Sequence, residues 1–142
     1  MDGKKPSFIG ENHTLLDEVV IRGIKLIDIS FVTTLYVILA FISSFLIDKI
    51  TGEYDRQTLE EKSFSILLFK LFLNFSLISI FVYFTKNLIK QIPSPLHDVY
   101  GYNHWRLKEL FNISSIFFAP IILATQWSKI NILVSVIYKK MR

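Results

Sequence analysis

The chain contains no cysteine, which removes disulfides and thiolate metal sites from consideration. No glycine-rich stretch could cradle a phosphate, and no serine sits in a nucleophile-elbow context. A potassium filter of the Thr-Val-Gly-Tyr-Gly kind is missing too. There is no Lys/Arg-rich run of the sort that follows nucleic acid, so no nucleic-acid partner is expected. Internal repeats and low-complexity tracts are absent. His97 and His104 lie seven apart with Asp98 nearby, but no third ligand stands at a helical or hairpin spacing. Neither a metal nor a cofactor is expected.

What is present is apolar and blocked. The 142 residues allow one domain at most, with 51% apolar and 20% charged residues. A soluble domain would hold about 45–50% and about 25%, so the averages say little. The pattern says more: charges cluster, and apolar residues run on at lengths that suit a bilayer. The formal charge of +4 comes from basic residues flanking those runs, where membrane anchors gather. The opening Met-Asp-Gly-Lys-Lys-Pro does not read as a secretory signal, because the first strong apolar run begins too late and is too long.

The expected fold is an all-α membrane protein with three transmembrane helices, an N-terminal amphipathic helix and a C-terminal interfacial piece. Residues 1–13 read as a polar tail. Residues 14–28 read as an amphipathic surface helix capped by Thr14. Its apolar side carries Leu15, Leu16, Val19, Val20, Gly23, Ile24 and Ile27. Asp17, Glu18, Arg22, Lys25 and Asp28 lie largely on the other side, and Glu18 can pair with Arg22.

Residues 29–47 carry no charge and match the roughly 20 residues that cross about 30 Å of hydrocarbon. Ser30, Thr33, Val37, Ala40 and Ser44 form a small-residue face suited to close helix approach. A polar loop follows over 48–62. In it, Thr58 and Glu61 have the spacing of a capping box that would open a helix running to about Lys90.

The second span, 63–85, contains Lys70 and, one turn on along the same face, Asn74. A central lysine costs about 2.5–3.5 kcal/mol, while each Leu, Ile, Phe or Val contributes about −0.3 to −0.6. More than a dozen of the latter lie between residues 66 and 84, so insertion wins. Lys70 can snorkel to the interface. The intramembrane pair is a candidate site, with a structural role as its plain alternative.

A third span covers 110–127, with Pro120 expected to kink it. Residues 128–142 form a shorter apolar piece with a basic tail. The piece either lies at the interface or extends the third helix. Eight Lys and Arg residues fall on one side of such a topology and seven on the other, so positive charge gives no orientation.

The connector 86–109 is the unusual segment. Pro93 and Pro95 block helix continuation, Gly101 permits a turn, and Asn103 can cap the third helix. Tyr100, Tyr102 and Trp105 suit an aromatic belt at headgroup level. With Arg106 they are the best candidates for partner contact, since Tyr, Trp and Arg dominate interface hot spots.

The strings IPSPL and GYNHWRLKEL, the latter leading straight into an apolar span, resemble a pattern in short multi-pass membrane proteins of large nucleocytoplasmic DNA viruses. The matching residues are Ile92, Pro93, Pro95, Leu96, Gly101, Tyr102, His104, Arg106, Lys108, Glu109 and Leu110. The chain departs from the pattern at His97-Asp98, where Asp-Gly is usual, and after Leu110, where a glycine pair is commoner. The match covers about twenty residues and the order of spans.

The resemblance implies a structural, non-enzymatic, multi-pass protein of a virion's internal membrane or of a host membrane. It would anchor the lipid bilayer to capsid or other membrane proteins, as a monomer or a homo-oligomer. It implies no catalytic residue. Two other classes compete with it: an accessory subunit of a respiratory-type membrane complex, and a small oligomeric pore lined by Lys70 and Asn74.

Overall fold

The computed structural model describes residues 15–106 and 108–142, and the side chains of 106–110 lie outside that description. Among the described residues all regular structure is helical. The polar tail over 1–13 and the Thr14 cap fall outside the described residues.

Helix α1 runs unbroken over Leu15–Thr51. The surface helix and first span expected as separate pieces are therefore one rod of 37 residues, about 55 Å long. No Gly or Pro at the 28/29 boundary stops the helix, so the apolar and amphipathic halves fuse. Its buried line passes through Ile24, Asp28, Val32, Tyr36, Ala40, Ser44 and Ile47. Steps of mostly four residues make that line swing about 140° around the rod at 3.6 residues per turn. Asp28 thus faces inward, while Leu15, Leu16, Val19 and Ile27 face outward. Asp28 departs from the polar side read from sequence, while Asp17, Glu18 and Arg22 on that side stay exposed and Ile24 is buried. The small-residue face is used in part, since Thr33, Ala40 and Ser44 turn inward and Ser30 is exposed.

Gly52, at φ 70°, closes α1 by returning its N–H to the Asp48 carbonyl at 2.9 Å, the left-handed cap that glycine favours. A short helix, α2 (Arg56–Glu60), comes next. Its cap is Asp55, whose carboxylate accepts the Thr58 N–H at 3.2 Å and the Thr58 hydroxyl at 2.9 Å. With its hydroxyl engaged there, Thr58 does not start a long helix with Glu61. The chain turns at 61–63, and α3 spans Phe64–Ile89. It stops at Lys90, ahead of Pro93.

The third apolar stretch divides into α4 (Lys108–Ser115) and α5 (Phe118–Met141). The break at 116–117 has a cause one turn later. Pro120 has no N–H to give the Ile116 carbonyl, and its ring crowds that carbonyl. The expected kink is a two-residue interruption. Residues 128–138 continue α5 without a break.

Contacts between α1 and α4–α5 rise in step along both rods. Thr33 donates to Ser114 at 3.1 Å, Ser44 and Thr125 share a bond of 2.6 Å, and Lys129 meets Asp48 at 2.5 Å. The two rods therefore run parallel, and α3 returns antiparallel between their ends. Gln126 adds bonds to the Ser44 carbonyl at 3.3 Å and hydroxyl at 3.1 Å. Such a polar seam suits helices in lipid, where apolar contact alone gives little preference for protein over acyl chain.

One apolar core joins Val32, Tyr36, Ala40, Ile78, Phe118 and Ile122. A second joins Tyr54, Leu59 and Leu67 to Leu133, Val136 and Ile137, which fixes the α2 connector against the distal half of α5. Three helical stretches, Leu15–Thr51, Phe64–Ile89 and Phe111–Met141, are long and apolar enough to cross a bilayer. The chain is a small multi-pass helical membrane protein.

Candidate functional site

The best-defined polar centre lies where α1 meets the connector between α3 and α4. Asp28 is 0% exposed, placed inward by its four-residue step from Ile24 and to Val32. An isolated carboxylate in such surroundings is costly unless hydrogen bonds surround it. Two reach the same oxygen, Oδ2. The Tyr102 hydroxyl donates to it at 2.7 Å, and Nδ1 of His104 lies 2.7 Å away. An ionised carboxylate can only accept, so Nδ1 carries the proton that points at Asp28. Oδ1 of Asp28 and Nε2 of His104 are buried without a hydrogen-bond partner among the described residues.

The connector is wound so as to deliver those two side chains. Ser94, buried between the prolines, accepts the Leu96 N–H on its hydroxyl at 3.2 Å and the His97 N–H on its carbonyl at 3.0 Å. Asp98, Tyr100 and Gly101 all take left-handed backbone, at φ 66°, 51° and 72°. That conformation is uncommon for Asp and a genuine outlier for Tyr, and strain of this kind persists only where the surroundings over-determine it. Here Asp98 N–H reaches the Tyr102 carbonyl at 2.9 Å, and Tyr102 N–H returns to Val99 at 2.9 Å. Asn103 accepts the Trp105 N–H at 3.0 Å. It therefore starts the tight turn 104–106 and not the third helix itself.

Aromatic rings seal the centre. Trp105 and Phe111 meet the His104 ring edge-on at 5.0 and 5.2 Å and stack on each other at 6.5 Å. Burial first, then the bond to Asp28 and its charge, push the Tyr102 phenol well above its ordinary range. Tyr102 stays protonated and stays a donor.

The four contact candidates therefore part company. Tyr100 is 76% exposed and Trp105 41%, so both present surface. Tyr102 is 2% exposed and bonded to Asp28, which makes it an internal fastener. The Arg106 side chain lies outside the described residues. His97 sits 3.6 Å from Asp98 and edge-on to Trp105. Among the described residues no three His, Asp or Glu side chains gather as a metal ion would require.

Lys70 and Asn74 belong to the opposite end of the bundle. Asn74 is buried, donating to the Tyr54 hydroxyl at 2.7 Å and to the Lys70 carbonyl at 2.9 Å. The Lys70 ammonium stands 4.7 Å over the Tyr54 ring and that of Lys129 5.7 Å from it. Sequence reasoning missed Tyr54 as their partner, and it missed Asp28. A signal for Asp28 existed, because it continues the stripe of Ile24, Val32 and Tyr36. A charged residue in that register is easily assigned to the wrong side. Comparison with family models, with curated proteins and with solved structures finds no match.

Proposed function

We propose that this protein is a structural, non-enzymatic component of a virion's internal membrane, holding the lipid layer to capsid components through the connector 90–107. One observation carries the reading. The segment with the virus-like pattern is pinned to the first rod through Tyr102 and His104, two of the residues that make up the pattern, while Tyr100 and Trp105 stay outward. A surface of this kind is preorganised, so a partner loses little ordering entropy on docking.

Asp28 and His104 act as a fastener, since a substrate would have to displace Trp105 and Phe111 to reach them. Asn74 is engaged with Tyr54 inside its own chain, which favours a structural role for it over a conducting path. The decisive experiment is quantitative protein analysis of purified particles, with a photo-crosslinking residue at position 100. A fixed ratio to the shell proteins and a crosslink to one of them are expected. Absence from particles would overturn the proposal.

A further inference from the structure

At the end of the bundle that carries α2, ion pairing is selective. Lys129 is matched by Asp48 at 2.5 Å and Lys139 by Glu60 at 3.2 Å. Lys62, Lys70 and Lys140 have no carboxylate partner among the described residues, yet they converge. The Lys140 ammonium bonds the Lys62 carbonyl, and the Lys62 side chain lies close enough to Lys70 for its charge to act on it. Glu61, the acid nearest in sequence, is exposed and pairs with none of the three.

Helix geometry explains how Lys70 joins the group. It lies seven residues after Ser63, on the same face of α3, and helical Cα–Cβ bonds tilt toward the amino end. The stem therefore climbs toward Lys62, with the Tyr54 ring beneath its ammonium at 4.7 Å. The amino end of α3 adds to the same field. Ser63 is its cap residue but makes no side-chain capping bond. The first-turn amides then carry their partial positive charge outward beside Lys62.

Like charges brought together without an acid suit an anion. The geometry points to the phosphate group of an anionic lipid seated between Lys62, Lys70 and Lys140 at the amino end of α3. Lipid is the occupant because Lys70 starts from within an apolar span. Its neighbours Ile66, Phe69 and Phe72 are exposed apolar side chains along which acyl chains can lie.

The test uses the full chain reconstituted in phosphatidylcholine with a minor share of phosphatidylglycerol, followed by native mass spectrometry of the lipid it retains. Wild type retains phosphatidylglycerol in preference to phosphatidylcholine. Lys62→Gln and Lys70→Gln each lower that retention about five-fold, the strength of one cation at an anionic surface. Lys70→Arg keeps it, as does Lys86→Gln, which removes one charge from the far end of α3. Equal losses in Lys86→Gln, no loss in Lys62→Gln, or complete displacement of the lipid by inorganic phosphate would each overturn the proposal. Circular dichroism checks that the variants keep their helix. If Lys70→Gln does not, Lys62→Gln decides alone, since it lies outside the helix.

Discussion

Asp28 and His104, 76 positions apart in sequence, meet at 2.7 Å with both side chains buried. That bond ties the connector between the second and third spans to the first rod, and it sets the expectation for mutants. Removing one partner of a buried pair strands the other, at a cost of about 3–5 kcal/mol. Asp28→Leu is therefore expected to destabilise the protein by roughly that amount in micellar unfolding. Asp28→Leu with His104→Leu should cost less than the two single changes added, by about 0.5–3 kcal/mol. Strict additivity would mean that the pair is not coupled.

Tyr102 sets a pH limit. Its folded pKa is raised from the ordinary value of 10.0, so above about pH 10 the unfolded chain releases a proton that the folded chain keeps. By linkage the stabilisation is intact below about pH 10 and falls as pH rises beyond it. Phenolate absorbance should show Tyr102 silent in the folded chain until unfolding. Tyr102→Phe should flatten the alkaline loss of stability. An unchanged slope would remove the assignment.

Gly52 is held at φ 70°, and nothing lies within 4 Å of where a Cβ would stand. Gly52→Ala is therefore expected to cost about 1–2 kcal/mol through backbone strain alone. Gly52→Asn should cost less, because asparagine tolerates this region. If Asn and Ala cost the same, strain is not the cause.

Pro120 sits within the first turn of α5, after the break it imposes. A proline in a helix interior costs about 3 kcal/mol, but here the chain has already interrupted its ladder. Pro120→Ala is expected to change stability by well under that figure. It should also give residue 120 an amide slow to exchange with deuterium, bonded to the Ile116 carbonyl. Rapid exchange there would show that the break has another origin.

The three apolar stretches were legible in sequence because length and absence of charge are local properties. So were the stop before Pro93 and the disturbance caused by Pro120. Where α2 begins and which way Asp28 faces were not. Asp55 outcompetes a plausible Thr58 cap through two bonds to its carboxylate, and a continuous α1 rotates its buried line so that a charged residue falls inward. Tyr102 and Tyr100 stand two positions apart and look alike in sequence. Left-handed backbone at 98, 100 and 101 sends one inward and the other out, and composition carries no trace of that winding.

The two acidic fastenings on α1, Asp28 to the aromatic connector and Asp48 to Lys129, stand twenty residues apart. At about 1.5 Å per residue they mark off about 30 Å, the depth of a bilayer's hydrocarbon layer. The rod is in effect a ruler with a notch at each shoreline. A thicker membrane would drown one notch and a thinner one would strand the greasy turns beside it, so the protein should settle where the lipid matches its own gauge.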